Sequence, residues 1–245
     1  MPRFFISPAA LSPDGATAVV TGDDARHISR SLRMRVGEAI TLCDGRGTDY
    51  AGHVAAVGAD SVTVAVEGAA PCESEPPYRA TVYQALVRGE RFDAAIQKSV
   101  EFGASAIVPV ATERATVRLT PADAEKKRAR WQRIATEAAM QCGRGVIPAV
   151  APMTGFADAV AGAAGLRLFC YEEERATHLR EALRSRGAAD EIAIFIGPEG
   201  GFSPAEAETA IASGAVSVSL GRRILRTESA APFALACIAY EFEAR

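Results

Sequence analysis

The chain has 245 residues, of which 49% are hydrophobic and 23% are charged, and its formal net charge at pH 7 is −3. This is the composition of a globular protein long enough to form two modest domains, so disordered and fibrous classes are excluded. A net acidic chain is not a general nucleic-acid coat, and any contact with nucleic acid must come from local basic patches.

The sequence shows no pattern of membrane insertion, secretion or metal binding. No apolar run approaches the roughly 18 to 20 residues of a membrane span. Residues 1–15 contain prolines and an acid where a signal peptide has an unbroken apolar core, so we expect a cytoplasmic protein. The five cysteines include no C-x-x-C pair and the three histidines are far apart, which predicts neither a disulfide framework nor a metal site.

Residues 1–73 have the pattern of a small all-β domain with one helix. A proline-rich polar segment, AAPCESEPP at residues 69–77, predicts a domain boundary, so residues 74–245 are expected to form a second domain. Short β-rich runs separated by Gly and Asp predict a small barrel in the first domain, with strands at 18–21, 38–43, 50–57 and 61–66.

One helix is predicted between the first two strands, over residues 23–33. Ile28 and Leu32 are four residues apart and are expected to form its buried stripe. Its three arginines share another face: Arg26, Arg30 and Arg33. Spacing alone favours a solvated charged face here.

The second domain alternates strands with helices, which predicts an α/β fold with a mostly parallel sheet covered on both faces. Strands are expected at 81–87, 106–111, 166–171, 192–196 and 215–220. Helices are expected at 90–102, 120–142 and 178–186 and at the end of the chain. The basic residues 126–133 of the second of these helices are expected to form a solvated face.

A glycine turn, GPEGG at residues 197–201, follows the apolar run 192–196. It stands where a doubly covered parallel strand would end, and ligands bind at that edge of open α/β sheets. Adjacent glycines permit positive φ and let a ligand approach the bare backbone. Ser203, Pro204 and Glu206 then predict a helix start with an N-cap, a Pro at the first position and a capping-box Glu.

The same order of features recurs at once. Residues 215–220 are strand-like, Gly221 interrupts them, and residues 222–229 lead into a last helix. We expect Pro232 to fall where the first helical N–H groups lack partners and Pro is tolerated. Either turn alone is also the pattern of an ordinary strand-to-helix loop.

Together the two turns, IGPEGG and LGRRILRTESAA, resemble the cofactor-binding region of the SPOUT methyltransferases, and most closely that of the RsmE family, which methylates N3 of a uridine in 16S ribosomal RNA. The resemblance covers nearly the whole chain. Residues 88–118 are similar to the family's long strand-flanked helix, and Gln141 to Arg144 with Pro148 resemble its Glu-Gln-Cys-Gly-Arg motif. Met140 stands where the family has an acid, which leaves open how Arg144 is held.

The resemblance implies S-adenosylmethionine as the cofactor and a specific uridine of the small ribosomal subunit as the substrate. It implies a PUA-like RNA-binding barrel at residues 1–73, with an RNA-contacting segment from His27 to Arg33, and a SPOUT domain at residues 74–245. It further implies a deep trefoil knot in the last third of the chain and a homodimer that combines both subunits in each active site.

The resemblance also implies a set of binding residues. Cofactor contacts are expected from Phe169, Tyr171, Ile196, Gly197, Pro198, Glu199, Gly200, Gly201, Leu220, Gly221, Ile224, Leu225 and Thr227. RNA contacts are expected from Arg26, His27, Arg30, Arg33, Arg88, Arg114 and Arg144. For the apolar members, Ile196 and Leu220 above all, a plain core position explains the sequence equally well.

Two residues after the second turn are candidates for catalysis. The N3 of uridine is a weakly acidic imide, so a base and a cation would both help its proton to leave. Arg226 stays charged and can donate two hydrogen bonds, so we expect it to stabilise the developing negative charge. Glu228 is the candidate base, although a role as helix-dipole partner or in an ion pair with Arg223 or Arg226 explains it equally well.

Three other functions fit parts of the pattern. A SPOUT enzyme that methylates a ribose 2′-OH would use the same cofactor. A non-catalytic ribosome-assembly protein would keep the RNA-binding surface, but the intact glycines and the Arg-Thr-Glu run disfavour it. A phosphate-binding Rossmann protein is disfavoured because neither G-x-G-x-x-G nor G-x-x-x-x-G-K-[ST] occurs.

Overall fold

The computed structural model describes residues 1–187 and 190–243, except for the side chain of Arg186. The chain divides into two compact units. The first unit comprises Met1–Glu75 and Ala139–Ile147, and the second comprises Pro76–Ala138 and Pro148–Arg245. Within the described ranges, no helix is both long and apolar enough to span a membrane.

The first unit contains a five-stranded sheet with a buried apolar core. The strand order is β1-β3-β4-β5-β2, with β1 parallel to β3 and the other pairs antiparallel. Alternate strand residues such as Ile40, Leu42, Val62 and Val64 are fully buried, as expected for a sheet with one covered face. The elements are β1 Arg3–Phe5, β2 Thr17–Thr21, α1 Gly22–Arg26, β3 Ala39–Cys43, β4 Thr48–Val57 and β5 Ser61–Pro71.

The helix predicted over residues 23–33 is shorter and less regular than expected. Helix α1 ends at Arg26 and continues as a π-helical turn over His27–Ser31. Ile28 is buried as predicted, but Leu32 is 43% exposed, so the predicted stripe is wrong at its second position. The chain leaves the helix there, with Arg33 at a φ of +53°, and Met34 is buried with Ile28 instead.

The second unit is the predicted α/β fold with a parallel sheet. Its seven strands have the order β12-β10-β11-β6-β7-β8, with β9 beside β7, and every pairing is parallel. The strands are β6 Arg79–Ala85, β7 Ala104–Ala111, β8 Ala149–Val150, β9 Thr154–Gly155, β10 Leu166–Cys170, β11 Glu191–Ile196 and β12 Val216–Val218. The helices are α2 Arg91–Glu101, α3 Pro121–Cys142, α4 Phe156–Gly162, α5 Leu179–Arg186, α6 Pro204–Ala212 and α7 Thr227–Phe242, and the last four residues of α3 are counted with the first unit.

Both faces of this sheet are covered, which explains the continuous apolar run of β11. Ile192, Ile194 and Ile196 pack in one cluster with residues of α5 and α7, whereas Ala193 and Phe195 pack in another with residues of α4 and α6. In α7, Pro232 is the sixth helical residue, so the expectation that it lies among the first four is wrong. A proline at this position cannot donate the usual helical hydrogen bond to the carbonyl four residues earlier.

Candidate active site

A cavity of about 510 Å³ lies in the second unit where β10, β11 and β12 end. The carboxyl ends of parallel strands meet at one edge of the sheet, which is where open α/β folds bind ligands. Its walls come from the segments after these three strands, with one residue from the start of α2. They are Arg91, Cys170, Tyr171, Glu172, Ile196, Gly197, Pro198, Glu199, Gly200, Gly201, Ser219, Leu220, Gly221, Arg223, Ile224, Leu225, Arg226, Thr227, Glu228 and Ala230.

The first glycine turn forms one wall and is held rigidly at its end. The Ser203 hydroxyl accepts a hydrogen bond from the Glu206 N–H (3.2 Å), and Glu206 accepts one from the Ser203 N–H (2.8 Å), which is the predicted capping box. Gly201 has a φ of +67°, and a β-carbon added there would lie 1.6 Å from Oε1 of Glu172. Only glycine fits this position while the Glu172 carboxylate lies against it.

The second turn is fastened to the segment that follows β10. The Tyr171 N–H donates to the Val218 carbonyl (3.1 Å), the Ser219 N–H donates to the Thr177 carbonyl (2.8 Å), and the Leu179 N–H donates to the Ser219 carbonyl (3.1 Å). These bonds bring Tyr171, Glu172 and the second turn onto the same cavity.

The beginning of α7 is tied to the first turn through a buried hydroxyl. The Thr227 hydroxyl donates to the Gly197 carbonyl (2.7 Å) and accepts from Nε2 of Gln84 (2.9 Å). Sequence reasoning missed Gln84, although an amide in the apolar strand TVYQALV is a recognisable signal. The two bonds fix the start of α7, where Arg226 is the N-cap residue and Glu228 lies in the first turn.

Charged side chains surround the cavity. Nη1 of Arg91 lies 3.0 Å from Oε1 of Glu199, and Nη1 of Arg226 lies 4.0 Å from Oε1 of Glu228. The Arg226 side chain is 80% exposed. The second Glu228 oxygen, Oε2, is buried and has no hydrogen-bond partner within the described part of the chain. Arg91 and Glu172 are further wall residues that sequence reasoning did not select.

The structure brings together twelve of the thirteen expected cofactor residues and both catalytic candidates. The exception is Phe169, which is fully buried and packs against Phe202 on the other side of β10. Successive strand residues point to opposite faces, so the neighbouring Cys170 lines the cavity instead. Burial raises the pKa of the Cys170 thiol to about 12, so it is a neutral wall residue.

The expected RNA contacts lie in different places. In the second unit, Arg88 and Arg114 are exposed; Nε of Arg88 donates to the Thr116 hydroxyl (2.9 Å), and Nη1 of Arg114 donates to the Gly200 carbonyl (3.3 Å). In the first unit, the four residues on and after α1 are exposed, with Arg26 paired to Asp23. These four are Arg26, His27, Arg30 and Arg33.

Arg144 is not available for RNA, contrary to expectation. It is 4% exposed, and its Nη2 lies 2.6 Å from Oε2 of Glu75. The other oxygen of Glu75 accepts from the N–H groups of Gly145 (2.9 Å) and Val146 (3.0 Å). Burial by itself raises the pKa of Glu75, but the bonds from Arg144 and these N–H groups outweigh it and hold the pKa below its usual value. Glu75 therefore orders this arginine, whereas Met140 packs on the apolar core.

Comparison with known proteins identifies the family. A family model described as "RNA methyltransferase domain" matches residues 74–239, and one described as "RNA methyltransferase PUA domain" matches residues 20–67. The Bacillus subtilis protein named "Ribosomal RNA small subunit methyltransferase E" is 32% identical over 250 residues, which covers 99% of this chain and 98% of the relative. The chain belongs to this methyltransferase family. The resemblance inferred from the two glycine turns is thus confirmed.

Solved structures of relatives agree with this family. The ribosomal RNA small subunit methyltransferase E from Neisseria gonorrhoeae, solved bound to S-adenosyl methionine, has a TM-score of 0.85 at 33% identity and covers 98% of this chain and 97% of its own. A methyltransferase from Legionella pneumophila in complex with the same cofactor has a TM-score of 0.84 at 30% identity, covering 97% and 96%. Among the residues that the structure describes, no group of three or more His, Cys, Asp or Glu could hold a metal ion.

Proposed function

We propose that this protein transfers a methyl group from S-adenosylmethionine to N3 of a specific uridine in 16S ribosomal RNA of the small subunit. The observation that carries the proposal is the cavity between the two glycine turns, with Arg226 and Glu228 on its wall. An exposed arginine beside a carboxylate that keeps one buried oxygen unpaired can stabilise an anion and accept a proton.

The cavity residues fit the cofactor. The cavity volume of about 510 Å³ lies within the range of roughly 300 to 1,000 Å³ that is typical of small-molecule sites. Gly200, Gly201 and Gly221 have no side chains, so the adenosine can approach the backbone closely there, and Ile196 and Leu225 supply apolar surface for its base. The Glu172 carboxylate against Gly201 suits the positive charge of a sulfonium. Two relatives have been solved with this cofactor bound.

The reaction is an in-line displacement in which the sulfonium supplies an electrophilic methyl group. Arg226 donates hydrogen bonds to a carbonyl oxygen beside N3, which stabilises the imide anion. Glu228 takes the N3 proton, so that the nitrogen lone pair becomes available. The N3–C bond then forms as the C–S bond breaks, and the bonding pair leaves with sulfur as S-adenosylhomocysteine. The bonds of Thr227 to Gly197 and Gln84 hold both side chains in this geometry.

The position of the methyl group tests the proposal. Small subunits from a strain that lacks this gene should gain one methyl on incubation with the protein and the cofactor, and mass spectrometry of the digested RNA should locate it on a uracil base. A methyl on a ribose would instead identify a 2′-O-methyltransferase. RNA binding without any methyl transfer would identify a non-catalytic assembly protein.

We also propose that the two predicted domains divide this work, with residues 1–73 binding RNA and residues 74–245 holding the cofactor and the reacting base. Exposed arginines on and after α1 support the first assignment, and the match of residues 20–67 to a PUA domain agrees with it. A ribosomal RNA substrate also favours a cytoplasmic protein, which cell fractionation tests.

The path of the chain near the cavity supports the proposal of a trefoil knot. Both ends of the loop between Tyr171 and Leu179 bond to Val218 and Ser219. The chain then passes from the edge strand β12 to Thr227, which contacts the ends of β11 and β6. Pulling the unfolded chain from both ends tests the proposal, because a knotted chain extends less than an unknotted chain of 245 residues.

A homodimer is proposed because α7 presents apolar side chains to solvent. Phe233 is 38% exposed and Tyr240, two helical turns further on, is 79% exposed. Such side chains along one helix are typical of a subunit interface. Each active site would then be completed by residues of the partner.

A further inference from the structure

A second cavity of about 680 Å³ adjoins the proposed cofactor cavity in the second unit. We call it the α2 groove, because most of its walls come from the loop before α2 and the first turns of that helix. The groove shares Arg91 and Glu228 with the cofactor cavity. Its walls are Arg88, Gly89, Glu90, Arg91, Ala94 and Glu228. The two cavities are therefore separated by a wall that contains the candidate base.

This arrangement suits a reaction between two bound molecules. A displacement requires donor and acceptor to meet with the reacting atoms about 3 Å apart, so the acceptor must occupy a space that borders the donor site. Glu228 lines both cavities, so its side chain stands at that border. An acceptor that enters by the α2 groove meets this side chain without displacing the cofactor.

The groove also has the hydrogen-bonding groups that a uracil requires. The N3 edge of uracil presents a carbonyl, an N–H and a second carbonyl, which pair with a donor, an acceptor and a donor. Glu228, an acceptor, and Arg91, a donor, line the groove, and Arg226, a second donor 4.0 Å from Glu228, lines the adjoining cofactor cavity. At N3 cytosine has a lone pair instead of an N–H. That lone pair would face the Glu228 carboxylate, which is unfavourable because both groups are acceptors.

Arg88 can bind the backbone of the same nucleotide. It is exposed, and its Nε donates a hydrogen bond to the neutral Thr116 hydroxyl. The rest of its guanidinium can therefore pair with a phosphate without competing with that bond.

We propose that the α2 groove is the site of the acceptor nucleotide, with the uracil edge at Glu228 and Arg91 and a flanking phosphate at Arg88. The proposal rests on the proposed function, since it takes ribosomal RNA as the substrate. In this arrangement the nucleotide enters by the α2 groove, and Glu228 with Arg91 distinguishes uracil from cytosine.

Two variants alter the groove at residues that do not line the cofactor cavity. Ala94→Glu places a charge and extra volume on the exposed groove wall, and glutamate is compatible with the helix. Arg88→Ala removes the proposed phosphate contact. The matched control is Gln97→Glu, which adds the same charge to an exposed position of α2 that does not line the groove.

The variants are compared with wild type using unmethylated small ribosomal subunits for kcat and KM and calorimetry for the cofactor Kd. We expect Ala94→Glu to lower kcat/KM at least tenfold and Arg88→Ala to raise KM about fivefold to tenfold with kcat within about twofold. Gln97→Glu should match wild type, and the cofactor Kd should stay within about twofold throughout. The assignment is overturned if Ala94→Glu and Arg88→Ala retain the wild-type kcat/KM. It is also overturned if Gln97→Glu lowers kcat/KM as much as Ala94→Glu does, or if Ala94→Glu weakens cofactor binding as much as it lowers kcat/KM. A wild-type protein that transfers no methyl group to the subunits would instead refute the proposed function.

Discussion

At Gly201, in the proposed cofactor cavity, any other residue is disfavoured, because the backbone φ is +67° and a β-carbon would displace the Glu172 carboxylate that lies against it. Gly201→Val should therefore abolish cofactor binding measured by calorimetry, and Gly201→Ala should weaken it at least tenfold. Gly214→Ala is the matched control, because Gly214 also has a positive φ (+87°) but its added β-carbon meets no atom within 4 Å. Equal affinity of wild type and Gly201→Val would refute the cofactor assignment.

Arg226 is a residue whose removal should affect the reaction rather than the fold. Its side chain is 80% exposed and its Nη1 lies 4.0 Å from Oε1 of Glu228, so the melting temperature of Arg226→Ala should be close to that of wild type. If it stabilises the imide anion, single-turnover methylation should fall by about 10² to 10³, or roughly 3 to 4 kcal/mol, with cofactor affinity nearly unchanged.

Arg226→Lys is the informative companion, because lysine keeps the charge but loses the two-pronged hydrogen bonding. It should recover only part of the rate. A near-normal rate for saturated Arg226→Ala would remove this residue from the catalytic set.

At the scale of elements, the arginines on and after α1 should contribute RNA affinity without chemistry. Arg26, Arg30 and Arg33 are all exposed, as a phosphate-binding surface requires. Each single-strand phosphate contact adds roughly −0.7 to the slope of log K against log salt, so changing all three to Ala should flatten the slope by about two units. Cofactor affinity should be unchanged, and an unaltered slope would indicate a solvated face.

The ion pair of Glu75 with Arg144 should stabilise the turn after α3. Glu75→Gln removes the carboxylate that pairs with the buried guanidinium, and we expect the free energy of unfolding to fall by about 2 to 3 kcal/mol. This loss is smaller than for a fully buried pair because Glu75 is partly solvated. Since the folded-state pKa of Glu75 is lowered, its contribution is present above the ordinary carboxyl pKa and is lost as the pH falls through the lowered value.

Urea unfolding at several pH values measures this difference. The gap between wild type and Glu75→Gln should be constant near neutral pH and should shrink in acid. Glu73→Gln, at an exposed neighbouring acid, should behave as wild type. A gap that widens in acid would contradict the assigned sign.

At the scale of the whole molecule, the exposed apolar residues of α7 determine the expected oligomer. Introducing a charge at Tyr240 or Phe233 should convert a dimer into a monomer in light scattering, because a buried unpaired charge opposes association. Ile211→Glu is the control, since Ile211 is similarly exposed (52%) but lies on α6. A wild-type protein that is active as a monomer would rule out the proposed dimer.

The sequence by itself determined the features that depend on neighbouring residues. Continuous apolar runs such as 192–196 predicted doubly covered parallel strands, and Ser203 with Glu206 predicted the helix start that the structure contains. The two glycine turns could be recognised because each follows a strand closely, and parallel strands end at the same edge of a sheet. Local backbone geometry and burial periodicity are properties of short segments, so they can be predicted from the sequence.

Only the tertiary structure decided which distant residues meet. Glu75 and Arg144 are 69 positions apart, and Gln84 and Thr227 are 143 apart, so no local pattern links either pair. Phe169 and Cys170 are neighbours that both occur in protein cores, yet Phe169 packs in the core on one face of the sheet and Cys170 lines the cavity. Likewise, the border between the cofactor cavity and the α2 groove exists because α2 and α7 bring Arg91 and Glu228 together. Such pairings depend on how the sheet and helices pack, which is a property of the whole fold and not of any segment.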